Sequence, residues 1–493
     1  MSQTLVKIWE SSSELSIGEI SRYRIKFDQS INNSLSPVQN LILKITNKTP
    51  VAYRGAVLSG PYNFSASVIP TDHIKQQQIL GAIPKYKSSI SSGESWKSTL
   101  KIPSNGIGDW TIEIISEILF STVKVNYKIK LFAVFPKKVN EKDPYSSLIT
   151  YEFYKTVDIF RLPELSNLDS ENDIHLVVLT HGFHGSVLDN LYLREAIQER
   201  YSNNNKIIVY APDVNHSLTG EGIEKCSKRL AEHLLKYVGW NKSDIPFISR
   251  ISMIGHSLGG IFNLFVVGYL QSITNGTFFE KIEPIHFITI ASPLLGSTQL
   301  AWYITFPMKL GMLGKTGKEL VLKKRTADQE PLLLSLSHPT SSSHIALKKF
   351  RNRTLYANIV NDTIVFLKTS SLYFVDLNED DMINVGLLKS LKFALATFNP
   401  PKITEDYLTR SFSGISPIIH DKVYTPEDIP VSSQNNISIE EKMARNWHED
   451  MTWRKVLVRI EGIAHVDVIV RRKWLNAAGT QVIEHLLDNH ELL

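Results

Sequence analysis

The sequence predicts an α/β fold with a mostly parallel sheet, preceded by an antiparallel β-sandwich-like domain spanning residues 1–140. Three observations predict it. Apolar residues recur with period two up to about residue 140, continuous apolar runs replace them from there on, and those later runs end in turns rich in glycine, serine and histidine. Strands wetted on one face alternate, whereas strands of a parallel sheet are buried on both faces and read as unbroken apolar runs.

In the first region "VKVNYKIKL" sets Val123, Val125, Tyr127, Ile129 and Leu131 against Lys124, Asn126, Lys128 and Lys130, and "RYRIKF" alternates in the same way. Turn-forming stretches such as "LSGPYN" and "PSNGIGD" separate these segments, the pattern of an antiparallel sandwich. The region shows no catalytic constellation, and "PKKVNEKDPYSS", Pro136 to Ser147, is the expected linker. The second domain, 141–493, carries "HLVVLT", "KIIVYA", "RISMIG", "HFITIA", "TLYANIV" and "KVLVRI", with amphipathic stretches such as "GIEKCSKRLAEHLLKYV" between several of them. Strand and helix in alternation make an α/β unit, whose chemistry gathers at the carboxyl ends of the strands.

At the end of "RISMIG" stands Gly255-His256-Ser257-Leu258-Gly259-Gly260. A strand that becomes a helix within so few residues pushes its middle side chain out at the tip. Gly255 and Gly259 leave room for the bend, with His256 between them. Ser257 is thus the candidate nucleophile. Leu258 would offer its N–H at the helix start, where donors are unpaired and negative charge is favoured. A second oxyanion donor is expected from Phe183 in "THGFHGS", after the first strand. His181 and His184 as metal ligands are the rival reading. It is set aside because no glutamate follows in the zinc-protease pattern and no third ligand is evident.

A serine needs an imidazole base, and the base needs a carboxylate to orient it. Asp362 follows "TLYANIV" and His465 lies in the loop after "KVLVRI", which is the chain order Ser, Asp, His. Asn361-Asp362 is also ordinary turn chemistry. His448 competes with His465 but precedes the last strand.

The motifs "GEISRYRI", "LSGPY", "DWTIEIISEI", "LTHGFHG", "MIGHSLGG", "ITIASPLLG", "GKTGKEL", "YANIVNDTIV", "KTSSL" and "WHEDMTWRKVLV" cover most of the chain. In these it resembles the yeast putative-serine-esterase lipases, a fungal branch of the α/β-hydrolases that includes monoacylglycerol lipase activity. The resemblance implies Ser257 as nucleophile, Asp362 as acid and His465 as base. It also implies a lipid ester as substrate, with monoacylglycerol or a related glycerolipid or phospholipid expected. Where that family often has Ala-His-Asn-Asn, this chain has Ala464-His465-Val466-Asp467, and the added carboxylate is expected to shift the histidine pKa upward.

Two insertions are expected in the second domain, at about 294–350 and about 374–452. The first includes the apolar "PLLGSTQLAWYITFPMKLGML", for which a lid or acyl groove and an extra core helix are equally compatible. In the second, "NVGLLKSLKFALATF" (384–398) reads first as a packed amphipathic helix and second as a membrane-surface element. "GMLGKTGKEL" fails as a phosphate loop, because Lys309 sits where the first glycine should be. "NHSLTGEGIEK" is expected to line the mouth of the site.

Bulk properties fit this reading. The chain has 493 residues, 43% hydrophobic and 21% charged, with a formal charge of +5 that argues no nucleic-acid partner and at most a mild bias toward anionic membranes. The single cysteine, Cys226, excludes an intramolecular disulfide and is expected in the core. No secretory signal or spanning segment is evident, so asparagine triplets at Asn47 and Asn63 carry no weight. A cytoplasmic protein is expected, with peripheral membrane or lipid-droplet contact, and without cofactor or metal. A catalytically idle hydrolase fold serving as a membrane scaffold is the alternative.

Overall fold

The computed structural model describes residues 4–32, 34–55, 62–70, 85–116, 124–140, 144–165, 173–204, 206–240, 248–298, 314–324, 328–376, 416–432, 437–473 and 477–492. These divide into two compact units, one up to Arg161 and one from Leu162 onward.

The first unit contains β1 (Thr4–Leu15), β2 (Ile20–Asp28), β3 (Asn40–Asn47), β4 (Phe64–Pro70), β5 (Lys85–Ile90), β6 (Ser95–Lys101), β7 (Ile107–Ser116), β8 (Val125–Phe135) and β9 (Ile149–Lys155). They form two antiparallel sheets, ordered β1-β8-β3-β6 and β5-β4-β7-β2-β9. Alternation drives the arrangement. Leu41, Leu43 and Ile45 of one sheet and Tyr23, Ile25 and Phe27 of the other enter a single core. Inside it the Tyr23 and Tyr127 hydroxyls pair at 2.9 Å, which satisfies polar tips that burial would otherwise leave unpaired. The unit extends past the boundary expected at residue 140. Tyr145, within the expected linker, and Leu148, just after it, are buried in this core, and β9 pairs with β2 as an edge strand. An edge strand with a half-exposed pattern carries a weak signal, so β9 does not stand out in the sequence.

The second unit is built on β10 (Ile174–Thr180), β11 (Ile207–Tyr210), β12 (Ile248–His256), β13 (Glu283–Ile290), β14 (Asn352–Asn358), β15 (Ile418–Tyr424) and β16 (Trp453–Val458). Its seven strands run β11-β10-β12-β13-β14-β16-β15, all parallel except β15, which pairs antiparallel with β16. Every residue of β10 is buried, as its unbroken apolar run requires. Around the sheet lie α1 (Leu191–Arg200), α2 (Ile223–Tyr237), α3 (Leu258–Ile273), α4 (Gly314–Leu320), α5 (Leu332–Ser337), α6 (Ser342–Lys348), α7 (Ile439–His448) and α8 (Thr480–Asn489). α3 is apolar on nearly every side and is accordingly buried. Cys226 is in the core on α2, and burial raises its thiol pKa, so it is inert packing. The chain leaves β10 for the edge strand β11 and returns to β12. That reversal opens a crevice at the carboxyl ends of β10 and β12.

Both expected insertions contribute to the framework. Leu332, Leu333, Ala346 and Leu347 of α5 and α6 join the main core, so the described part from Gly314 to Phe350 is packed structure rather than a cover. From the second stretch, β15 completes the sheet and α7 buries Met443, Ala444 and Trp447. The aromatic run at 299–313 and the 384–398 helix lie outside the described residues. Among the described residues no helix is long and apolar enough to cross a membrane.

Lys455, inside β16, is fully buried. Its ammonium donates to the Phe374 carbonyl and lies 4.6 Å from the centre of the Tyr424 ring. Burial pushes its pKa down to about 7, partly offset by Asp376. Between that value and the ordinary lysine value of roughly 10.4 the unfolded chain binds one more proton than the native one, so stability rises with pH in that window. Urea unfolding of the wild type and Lys455→Met at several pH values is expected to show this slope, about 1.4 kcal/mol per pH unit, only in the wild type. Equal slopes would mean that the lysine keeps its ordinary affinity for protons.

Candidate active site

Ser257 links the end of β12 to the start of α3 with φ 54° and ψ −127°. A non-glycine residue in that region is strained, and such strain persists only where the surroundings over-determine it. Here they do. The Ser257 N–H donates to the Ile290 carbonyl at 2.9 Å, and its own carbonyl accepts from Gly260 N–H at 3.2 Å. The flanking glycines are demanded by close approach. A Cβ on Gly255 would lie 2.4 Å from the Gly260 nitrogen, and one on Gly259 would lie 2.1 Å from the Thr180 carbonyl oxygen. β12 therefore turns into α3 directly against the end of β10.

Asp362 and His465 meet this serine. Ser257 Oγ lies 3.0 Å from His465 Nε2, and His465 Nδ1 lies 3.0 Å from Asp362 Oδ2. All three residues are buried. The carboxylate is anchored further. Oδ1 accepts the N–H groups of Ile364 and Val365, and Oδ2 also accepts from Asn358 Nδ2 at 2.9 Å. Burial by itself raises the Asp362 pKa. The imidazole, the Val365 N–H and the Asn358 amide outweigh it and hold the acid below the usual carboxylate range. With an ionised acceptor at Nδ1, that nitrogen carries the proton and Nε2 presents its lone pair to the serine hydroxyl. Asn361, at φ 60°, makes the turn that presents Asp362, and its side chain donates to the Ile460 carbonyl.

His256 has a part in this arrangement that the motif does not disclose. Its Nε2 donates to the backbone carbonyl of His465 at 2.9 Å. Burial, reinforced by the neighbouring His465, pushes its pKa down to about 4, so the ring stays neutral and its single proton sits on Nε2. Nδ1 meets no partner among the described residues. Arg471 adds a second tether, its Nε 2.8 Å from Asp189 Oδ1, joining the segment after His465 to the one after the His181–Ser186 loop. Asp467, the carboxylate expected to perturb His465, is itself buried, and the acid that touches the imidazole is Asp362.

The loop after β10 passes against the serine. A Cβ on Gly182 would lie 2.8 Å from Ser257 Cβ and 3.2 Å from its Oγ. Phe183 follows Gly182 directly in that loop, and Leu258 follows Ser257 and opens α3. The loop is braced by the motifs "NHSLTGEGIEK" and "GKTGKEL". His184 N–H donates to Thr219 Oγ1 at 3.0 Å, and the Thr219 carbonyl accepts from Thr316 Oγ1 at 2.6 Å. Thr316 in turn accepts from Gly222 N–H, and Glu319 accepts the N–H of Ile223 at the first turn of α2. "GKTGKEL" thus supports the loop "NHSLTGEGIEK", which supports "THGFHGS". His181 turns its Nδ1 to the Gly182 carbonyl, and among the described residues no metal-binding group gathers around it. His448 bonds to the Ala444 carbonyl of its own helix, with burial lowering its pKa to about 3, and takes no part in the site.

Residues 170–372 match the family model described as "Putative serine esterase (DUF676)". The Saccharomyces cerevisiae protein named "Putative lipase ROG1" is 30% identical over 98% of this chain and 83% of its own. "Putative lipase YDL109C" of the same yeast is 29% identical over 98% and 88%. Among solved structures, the Pyrococcus furiosus esterase Pf2001 is similar at 16% identity, over 41% of this chain and 67% of that one, with a TM-score of 0.23. Because the likeness to the yeast proteins extends over nearly the whole chain, the protein belongs to the Putative serine esterase (DUF676) family.

Proposed function

We propose that the protein is a serine carboxylester hydrolase of the α/β-hydrolase type, cleaving acyl esters of lipids such as monoacylglycerol or a related glycerolipid. The observation that carries this reading is the continuous hydrogen-bonded relay Ser257–His465–Asp362, with both contacts at 3.0 Å. In the first step His465 Nε2 takes the Ser257 proton as Oγ attacks the ester carbonyl. The resulting imidazolium is stabilised by Asp362, and the oxyanion is held by the N–H groups of Phe183 and Leu258. The tetrahedral species collapses as His465 protonates the departing alkoxide, leaving an acyl-enzyme. Water, deprotonated by the same imidazole, releases the fatty acid and restores Ser257. The lipid preference rests on the names borne by the yeast relatives. Lipid esters are presented at an interface, so the enzyme works as a peripheral membrane or lipid-droplet protein.

The decisive experiment is fluorophosphonate labelling paired with hydrolysis of p-nitrophenyl butyrate. Ser257→Ala is expected to abolish labelling and to lower kcat by a factor on the order of 10⁴ or more. Absence of labelling in folded wild-type protein would favour an idle scaffold, and retained hydrolysis in the variant would point to another nucleophile.

His256 supplies a second test. His256→Leu removes the donor that holds the His465 carbonyl and is expected to lower kcat roughly tenfold at nearly constant KM. His256→Gln, whose amide can donate in place of Nε2, is expected to recover most of that loss. Equal activity in the two variants would reduce His256 to packing.

A further inference from the structure

Positive charge is unevenly divided along the chain. Residues 1–161 hold 20 Lys+Arg against 13 Asp+Glu, whereas the remainder holds 34 against 36. The excess of the whole protein therefore belongs to the first unit. Much of it lies on one side of the sheet β1-β8-β3-β6. Ile8, Leu43, Ile129 and Leu100 point into the core, so the alternate residues of these strands face outward.

Register sets the outward lysines side by side. Lys97 lies opposite Lys44, and Lys44 lies opposite Lys130. Lys101 flanks them on β6 and Lys128 on β8. Lys85, from β5 of the other sheet, lays its ammonium on the Thr99 carbonyl of β6, where burial and the charge of Lys101 both lower its pKa. Like charges directly opposite one another destabilise a sheet. The acids nearby offset only part of this. Glu10 reaches Lys7, Lys128 and Lys130, and Glu14 pairs with Lys124. Lys44, Lys97 and Lys101 form no ion pair among the described residues. On the same face Ile42 stands opposite Phe132, and Leu5 is half exposed.

We propose that this face docks the protein onto an anionic phospholipid bilayer. The argument is charge complementarity combined with shape. A row of flexible ammonium groups on a flat sheet meets a planar field of phosphates, and lysine binds phosphate as a point charge without demanding a fixed geometry. The adjoining Ile42–Phe132 pair offers apolar surface to the interfacial layer, and the lysine stems can lie along it while their heads stay with the phosphates. The repulsion left in the free protein is relieved when lipid phosphates come between the lysines. The inference deepens the lipid-esterase reading by naming the surface on which that enzyme works, yet its test does not depend on catalysis.

The test is co-sedimentation of the full chain with phosphatidylcholine vesicles with and without phosphatidylserine, at low and high salt. Binding is expected only to the anionic vesicles and is expected to weaken steeply as salt rises. The triple variant Lys44→Gln, Lys97→Gln, Lys101→Gln should lose on the order of a hundredfold in vesicle affinity. Its Tm should be unchanged or higher, because opposed like charges have been removed. The control triple Lys225→Gln, Lys228→Gln, Lys348→Gln, on the second unit, should bind as the wild type does. Salt-insensitive binding, equal binding to neutral vesicles, or undiminished binding by the first triple would overturn the proposal. So would retention of a polynucleotide without retention of vesicles. If vesicle binding behaves as expected while fluorophosphonate labelling fails, the docking surface stands and the esterase reading falls.

Discussion

A strand that must become a helix within one residue forces Ser257 into a backbone conformation that only its surroundings can sustain. That constraint organises the rest of the second unit. The neighbours must be glycines because the end of β10 and the first turn of α3 approach to within the space a methyl group would occupy. The close approach brings the loop after β10 against the serine, and the hydroxyl is left at the crevice where the order of the sheet reverses. Strain, glycine and topology are three aspects of a single requirement, which is to hold a small polar group rigidly at the rim of an otherwise apolar sheet.

Rigidity then spreads outward through hydrogen bonds rather than through a larger core. Asp362 is held by two backbone N–H groups and the Asn358 amide before it meets the imidazole. His465 is held from behind through its carbonyl by His256. The loop bearing Phe183 is held by Thr219, which is held by Thr316. Most of these groups are buried, and a buried polar group without its partner is expensive, so the bonds in the chain also enforce one another's positions. Polar residues thereby confer a specific geometry that apolar packing, which tolerates small shifts, could not.

The first unit follows a different logic. Its interior is a conventional apolar core closed by the Tyr23–Tyr127 pair, while its outward sheet face tolerates lysines set against one another. A protein selected for stability alone would alternate the signs there. The second unit, which carries the Ser257–His465–Asp362 relay, has by contrast nearly balanced charge.

The local signals were strong enough to be read directly. The elbow around Ser257 is five contiguous residues between a buried strand and an apolar helix, and Asp362 and His465 follow strand ends in an order that chain direction imposes. Alternation in the first 140 residues marked the paired sheets because burial of one face leaves a period of two. β9, β15 and the helices at 332–348 escaped notice because half-exposed edge strands and short helices carry no distinctive periodicity. The partnership of Thr219 with Thr316, the grip of His256 on the His465 carbonyl and the alignment of Lys97, Lys44 and Lys130 had no sequence signature at all. These contacts join residues that are distant along the chain, and only folding, by choosing strand order and register, decides which of many chemically equivalent side chains come to face one another.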